Sequence, residues 1–266
     1  MTDLTPAETR NLLERAGKSK SQSKVYVGGD SDRPLAGKTV AILFDKPSLR
    51  TRVSFQVGIQ QLGGYSVFLG QQEVGLGNRE PVSDVANVLS GYVDCIVARI
   101  SDHQLLVDLA KHASVPVVNA LSDVEHPCQI MADLLTIYEH KGALDGLSLA
   151  YVGDGNNVAR SLCLALPAVG INFTSASPGG YNLDEASVQI ARARANGSSV
   201  RVRTLTDPTE AVAGADVVYT DVWASMGQEA ETATRQSVFH GYTVDPELMQ
   251  RANSGALFMH DMPAHY

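Results

Sequence analysis

Asp45-Lys46-Pro47-Ser48-Leu49-Arg50-Thr51-Arg52 gathers two hydroxyls and two guanidiniums within eight residues. At the start of a helix, these groups would join its free N–H groups in a cradle for an oxyanion or phosphate. The flanking residues allow that placement. Val40 to Phe44 is a short apolar run suited to a buried strand, and apolar residues from Val53 to Leu62 recur at helical spacing before Gly63-Gly64. Pro47 would stiffen the approach, and Ser48 or Thr51 stands where it could cap the helix. An ordinary capped helix with two solvated arginines has the same spelling, so this segment alone leaves both readings open.

Polar groups also close the other apolar runs. In the first half these are Arg99 and, after a loop, His126, which Pro127 marks as a projecting turn residue. In the second half they are Asp154, Asn156, Asn157, Asp221, Ser225 and His260-Asp261. The first set is cationic and hydroxylic, the second amidic and anionic. A cleft between them would take an anion on one side and an ammonium on the other, which suggests group transfer from a phosphate-bearing donor to an amine. Gly153-Asp154-Gly155-Asn156-Asn157-Val158 superficially suits a dinucleotide. The third glycine is missing, however, and the next strand ends in Ser175-Ala176-Ser177-Pro178 without an acid for a ribose. His126 and Asp133 lie two helical turns apart and make no metal pair. Cys163 falls on an apolar helix face and reads as core; Trp223 reads as packing.

Positioning these groups requires alternating strands and helices. Thr5-Pro6-Ala7-Glu8 is a capping box for a first helix that should end at Gly17, and strands follow at 40–45, 65–69, 94–98 and 115–119. Gly70 to Pro81 reads as a functional or mobile loop with little to pack. Helices are expected at 82–92, 102–113 and from His126 to Lys141. The pattern then restarts: Leu35-Ala36-Gly37 before the first strand is echoed by Leu144-Asp145-Gly146 before the second half's first strand. There, strands at 149–154, 172–176, 200–202, 216–221 and 256–259 alternate with helices at 157–169, 184–196, 208–213 and 246–252. The reading is α/β: two similar domains, 1–125 and 126–266, each a parallel sheet flanked by helices, with ligands at the carboxyl ends of strands.

Composition fits this reading and excludes others. A chain of 266 residues with 44% hydrophobic and 19% charged residues suits two globular domains. The net charge of −8 argues against non-specific nucleic-acid binding and makes any anion site a local gathering of positive groups. No 18-residue apolar run is present, so no membrane span is expected. An acidic N-terminus without an apolar stretch is unlike a signal peptide, and three scattered cysteines suit a reducing, cytoplasmic compartment.

Five segments occur in order: Ser48-Leu49-Arg50-Thr51-Arg52, His126-Pro127-Cys128-Gln129, Asp154-Gly155-Asn156-Asn157, Asp221-Val222-Trp223-Ala224-Ser225-Met226-Gly227 and His260-Asp261-Met262-Pro263. With them the chain resembles the ornithine carbamoyltransferases over almost its whole length. The resemblance implies transfer of a carbamoyl group from carbamoyl phosphate to the side-chain amine of L-ornithine, in a homotrimer, without metal or organic cofactor. It implies that Ser48, Leu49, Arg50 and Thr51 bind the phosphate. Thr51, Arg99 and His126 would polarise the carbamoyl oxygen, and Gln129 would contact its NH₂. Asn157, Asp221, Ser225 and Met226 would hold ornithine.

Three features depart from the family pattern. Asp261 stands where the family usually has cysteine, and is expected to orient the amine. Gly75 stands where a histidine or glutamine usually reaches into a neighbouring subunit's site. The sequence stops at Tyr266, where family members continue with a C-terminal strap, so a fragment is expected.

Overall fold

The computed structural model describes residues 1–22, 33–195, 199–224 and 229–264. Its contacts divide the chain into two compact units, Arg15–Gln129 and Met1–Glu14 with Ile130–Tyr266.

The Arg15–Gln129 unit holds β1 (Thr39–Phe44), α2 (Leu49–Gln61), β2 (Tyr65–Gly70), α3 (Gln71–Val74), α4 (Val82–Ser90), β3 (Cys95–Arg99), α5 (His103–His112) and β4 (Val117–Leu121). Its four strands are parallel in the order β2-β1-β3-β4. β1 reads Thr-Val-Ala-Ile-Leu-Phe, and its last five residues are buried. That is the spelling of a parallel strand covered on both faces. Ala41, Leu43 and Ile96 face one core cluster while Val40, Ile42 and Phe44 face another.

Helix α1 (Pro6–Gln22) starts at the expected capping box: the Thr5 amide donates to Glu8 Oε2 at 2.8 Å, and the Glu8 amide to Thr5 Oγ1 at 3.2 Å. It does not end at Gly17 as the spelling suggests, because one helical glycine costs only about 1 kcal/mol. Helix α6 (Pro127–Lys141) begins in the first unit and continues into the second from Ile130; there follow β5 (Ser148–Val152), α7 (Asn157–Ala165), β6 (Asn172–Ala176), α8 (Glu185–Arg194), β7 (Val202–Leu205), α9 (Pro208–Val212), β8 (Val217–Thr220), α10 (Thr232–Val238), α11 (Pro246–Met249) and β9 (Leu257–His260). The parallel order is β7-β6-β5-β8-β9. Ile130, Leu134 and Ile137 of α6 pack with Leu149, Leu162 and Phe173 in the main core.

Several boundaries move, each for a local reason. The 70–81 segment is not bare: it forms α3, ends it at Gly75 with φ +59°, and packs Val74 and Leu76 on the β-sheet core. β4 begins after Pro116, which has no amide to give the ladder. The helix expected to run to Val169 tightens into a 3₁₀ turn at Leu166–Val169, where Pro167 interrupts the α pattern. β7 forms two residues later than expected, and α10 was not legible in the spelling.

In each sheet, successive crossovers leave the first strand in opposite directions. The switch falls between β1 and β3 in one sheet and between β5 and β8 in the other. Open parallel sheets bind ligands at this switch point, outside the carboxyl ends of the strands.

Candidate active site

The segment 48–52 follows β1 and Arg99 ends β3, so both flank the first switch point. Asp102, Asp184, Asp207 and Asp245 each cap a helix by accepting a backbone N–H. Helix α2 is different: Ser48 occupies the cap position without capping, and the first turn carries no acidic residue. Its hydroxyl donates instead to Thr51 Oγ1 at 3.0 Å. The expected side-chain cap is therefore absent, and the positive end of a 13-residue helix keeps its N–H groups for an anion.

Arg99 is buried and donates from Nη1 to Thr51 Oγ1 at 2.9 Å. Thr51 Oγ1 therefore accepts from both Ser48 and Arg99, leaving its own O–H to donate outward. A bulge helps aim Arg99: Ala98 pairs with Asn119, but Arg99 pairs with Leu121. The β1 end is fixed beside it, with the Ser101 amide donating to Asp45 Oδ2 at 2.6 Å.

Arg50 is exposed on the first turn of α2. Arg52 does not join it. Its guanidinium lies 3.7 Å from the Phe68 ring centroid, and its Nε donates to Gln56 at 3.2 Å. His126 is 8% exposed rather than projecting. Burial, with help from the Arg99 charge, lowers its pKa to about 4. The imidazole is neutral at neutral pH and can offer an N–H without adding charge. Gln129 lies in the first turn of α6.

At the second switch point, Asn156 caps α7, with its Oδ1 accepting from the Val158 and Ala159 amides at 3.0 Å each. Its Nδ2 donates to Asp221 Oδ2 at 2.7 Å, and the Val222 amide donates to Asp221 Oδ1 at 2.8 Å. Asn156 is thus a positioning residue that the spelling did not separate from Asn157, the first residue of α7. Gly155 is required here: a Cβ would stand 2.5 Å from the backbone of Asn182 and Leu183. Burial and the neighbouring charge of Asp261 raise the Asp221 pKa to about 7. Asp261 is half-buried and accepts from the Met262 amide at 2.8 Å. Ser225 and Met226 lie outside the described residues. Trp223 stacks on Phe239 with centroids 5.6 Å apart, as packing requires.

The separation of signs between the two halves is incomplete, because Arg235 of α10 is buried beside Asp154. Among the described residues, no group of three or more His, Cys, Asp or Glu is placed to hold a metal ion, and no helix is long and apolar enough to cross a membrane.

Comparison with known proteins matches residues 1–139 to the aspartate/ornithine carbamoyltransferase carbamoyl-P binding domain. Residues 145–266 match the Asp/Orn binding domain of the same family. The chain belongs to the aspartate/ornithine carbamoyltransferase family. Within that family it is 48% identical over 265 residues to the ornithine carbamoyltransferase of Anoxybacillus flavithermus, covering 100% of this chain and 83% of that relative. It is 49% identical to that of Thermococcus kodakarensis at the same coverage. The solved ornithine carbamoyltransferase of Pyrococcus furiosus superposes with a TM-score of 0.94 at 47% identity, over 99% of this chain and 83% of that one. The Thermus thermophilus enzyme gives 0.86 at 43%, over 100% and 84%.

Proposed function

We propose that the protein transfers the carbamoyl group of carbamoyl phosphate to the side-chain amine of L-ornithine, giving L-citrulline and phosphate. The observation that carries this reading is the Arg99–Thr51 hydrogen bond beside an uncapped helix N-terminus. It supplies a fixed charge and an outward hydroxyl where a phosphorylated acyl donor needs them.

Carbamoyl phosphate is assigned to the Arg15–Gln129 unit. Its phosphate would take the α2 amides from Leu49 onward, the Ser48 and Thr51 hydroxyls and the Arg50 guanidinium, while Gln129 would accept from the carbamoyl NH₂. Ornithine is assigned to the other unit, through Asn157, Asp221, Ser225, Met226 and Asp261. The neutral δ-amine adds to the carbamoyl carbon. The carbonyl electron pair moves onto oxygen, where Thr51, Arg99 and His126 stabilise it. Its return expels phosphate, and the amine's extra proton is lost. The protein forms no covalent bond; it orients and stabilises charge. Citrulline formation from the two substrates tests this reading, with putrescine run in parallel. Turnover with ornithine bears it out, whereas turnover with putrescine alone, or none with either amine, overturns it.

A homotrimer and a cytoplasmic location belong to the same reading. The three cysteines carry no disulfide, as a reducing compartment leaves them. Leu49, Val53 and Val57 form an exposed apolar stripe along α2, and Tyr65 and Val67 stand exposed on one face of the edge strand β2. Such a patch suits self-association. Val53→Glu combined with Val57→Glu is expected to reduce the mass found by light scattering to that of one chain, with circular dichroism unchanged. An unchanged mass would remove the stripe from the interface.

A further inference from the structure

Arg235 is 6% exposed, and its hydrogen bonds among the described residues go to Asp154, Trp223 and Glu231, none of them assigned to substrate; it joins two segments that lead to Asp221. Its Nη1 donates to Asp154 Oδ2 at 2.6 Å and to the Trp223 carbonyl at 2.8 Å. Its Nε donates to Glu231 at 2.9 Å, and the guanidinium lies 5.0 Å from the Tyr181 ring centroid. A single nitrogen therefore ties the residues after β5 to those after β8. The tie lies two residues beyond Asp221. This arrangement exceeds what a helix anchor needs, because a neutral donor would serve the Trp223 carbonyl equally well.

We infer that Arg235 is a positioning residue for the amine half of the reaction, holding the Asp221 segment in place and cancelling Asp154 so that Asp221 meets the substrate ammonium as an anion. The inference rests on the assignment of ornithine's cationic end to Asp221.

Asp221 is surrounded by acids. Asp261 approaches from the end of β9 and Asp154 from the end of β5, and both disfavour its ionised form. Asp133 of α6 is taken up by the Tyr219 hydroxyl of β8 at 2.9 Å, the Tyr151 hydroxyl of β5 donates to Asn156 Oδ1 at 3.5 Å, and Glu231 pairs with Arg235. His260 bonds through Nδ1 to the Asp261 carbonyl. Arg235 is in direct contact with two of these acids, Asp154 and Glu231. Its loss would leave Asp154 uncompensated beside an Asp221 that already resists ionisation.

The experiment is the pH dependence of KM for ornithine and for carbamoyl phosphate in Arg235→Met, Asp154→Asn, the double variant and Asp221→Asn. Arg235→Met should raise the ornithine KM about tenfold at neutral pH and move its acid limb about one unit alkaline, because uncompensated like charge disfavours ionisation. The carbamoyl phosphate KM should stay within about twofold and serves as the check on folding. Asp154→Asn should move the same limb the other way, which keeps the inference testable if Arg235→Met fails to fold. The double variant should recover most of the loss. An unmoved limb in Arg235→Met, an alkaline shift in Asp154→Asn, or a double variant no better than Arg235→Met would each overturn the inference. A rise in ornithine KM for Asp221→Asn alongside any of these leaves the underlying assignment standing; no rise removes the assignment itself.

Discussion

Replacing Arg99 with methionine is expected to lower kcat/KM for carbamoyl phosphate by about 10³-fold or more while leaving a folded protein. One preorganised donor to a developing oxyanion is worth about 10²–10³ in rate. Arg99 is asked for more than one donation. It would supply a full charge at the carbamoyl oxygen, and through its 2.9 Å bond it turns the Thr51 hydroxyl outward. Without it, Thr51 Oγ1 keeps a single donor, Ser48, and its proton can rotate into other orientations. Methionine fills a similar volume and brings no charge, so the buried site is not left with an unpaired ion. Steady-state kinetics with saturating ornithine checks the claim. A loss below tenfold would place Arg99 outside the reacting centre. The same substitution should raise the pKa of His126, since the Arg99 charge helps hold it down. Titration of the His126 ring by NMR reports that shift independently of turnover.

The parts of this arrangement that were legible in the spelling are the ones that local physics decides. Five consecutive buried residues in β1 can hardly be anything but a strand covered on both faces, and Ser48, Arg50 and Thr51 follow it directly. The strand-end groups Arg99, Asp154 and Asp221 were found in the same way, from the polar residue that closes an apolar run. What was not legible depends on distant partners. Arg52 has the same side chain as Arg50 but is drawn away by Phe68, sixteen positions later. His126 was expected to project because proline follows it, and tertiary packing buried it instead. Arg235 sits in a seven-residue helix with little apolar periodicity, and its carboxylate partner lies 81 residues earlier in the chain. An aspartate buried at a strand end demands a counter-charge. Glu231 and Arg235, spaced i,i+4, were the one local sign of where it would come from.

Asp221→Asn should combine a large loss of function with a gain in stability that depends on pH. A carboxylate that meets an ammonium in a desolvated site is worth about 10²–10³ in ornithine kcat/KM when neutralised, by analogy with buried charge pairs. The stability effect runs the other way. The folded-state pKa is about 7, whereas an unfolded aspartate titrates near 3.9. Between those values the folded state holds a proton that the unfolded state has released. Asp221 therefore makes stability fall as pH rises through about 4 to 7, and the cost persists above that window. Asparagine has no such titration. It accepts through only one oxygen, so it loses the bond from either Asn156 or Val222, a loss that does not change with pH. The difference in melting temperature between variant and parent should thus move in the variant's favour from pH 4 to pH 8. His126 acts in the opposite sense, because its pKa of about 4 lies below the unfolded value near 6.5, so its contribution is lost as pH falls through that range. In the parent the two slopes offset each other. His126→Gln should expose the falling limb due to Asp221, and Asp221→Asn the rising limb due to His126. Parallel melting curves for Asp221→Asn and parent across pH 4–8 would show that Asp221 is ionised throughout and that its acidic neighbours do not restrain it.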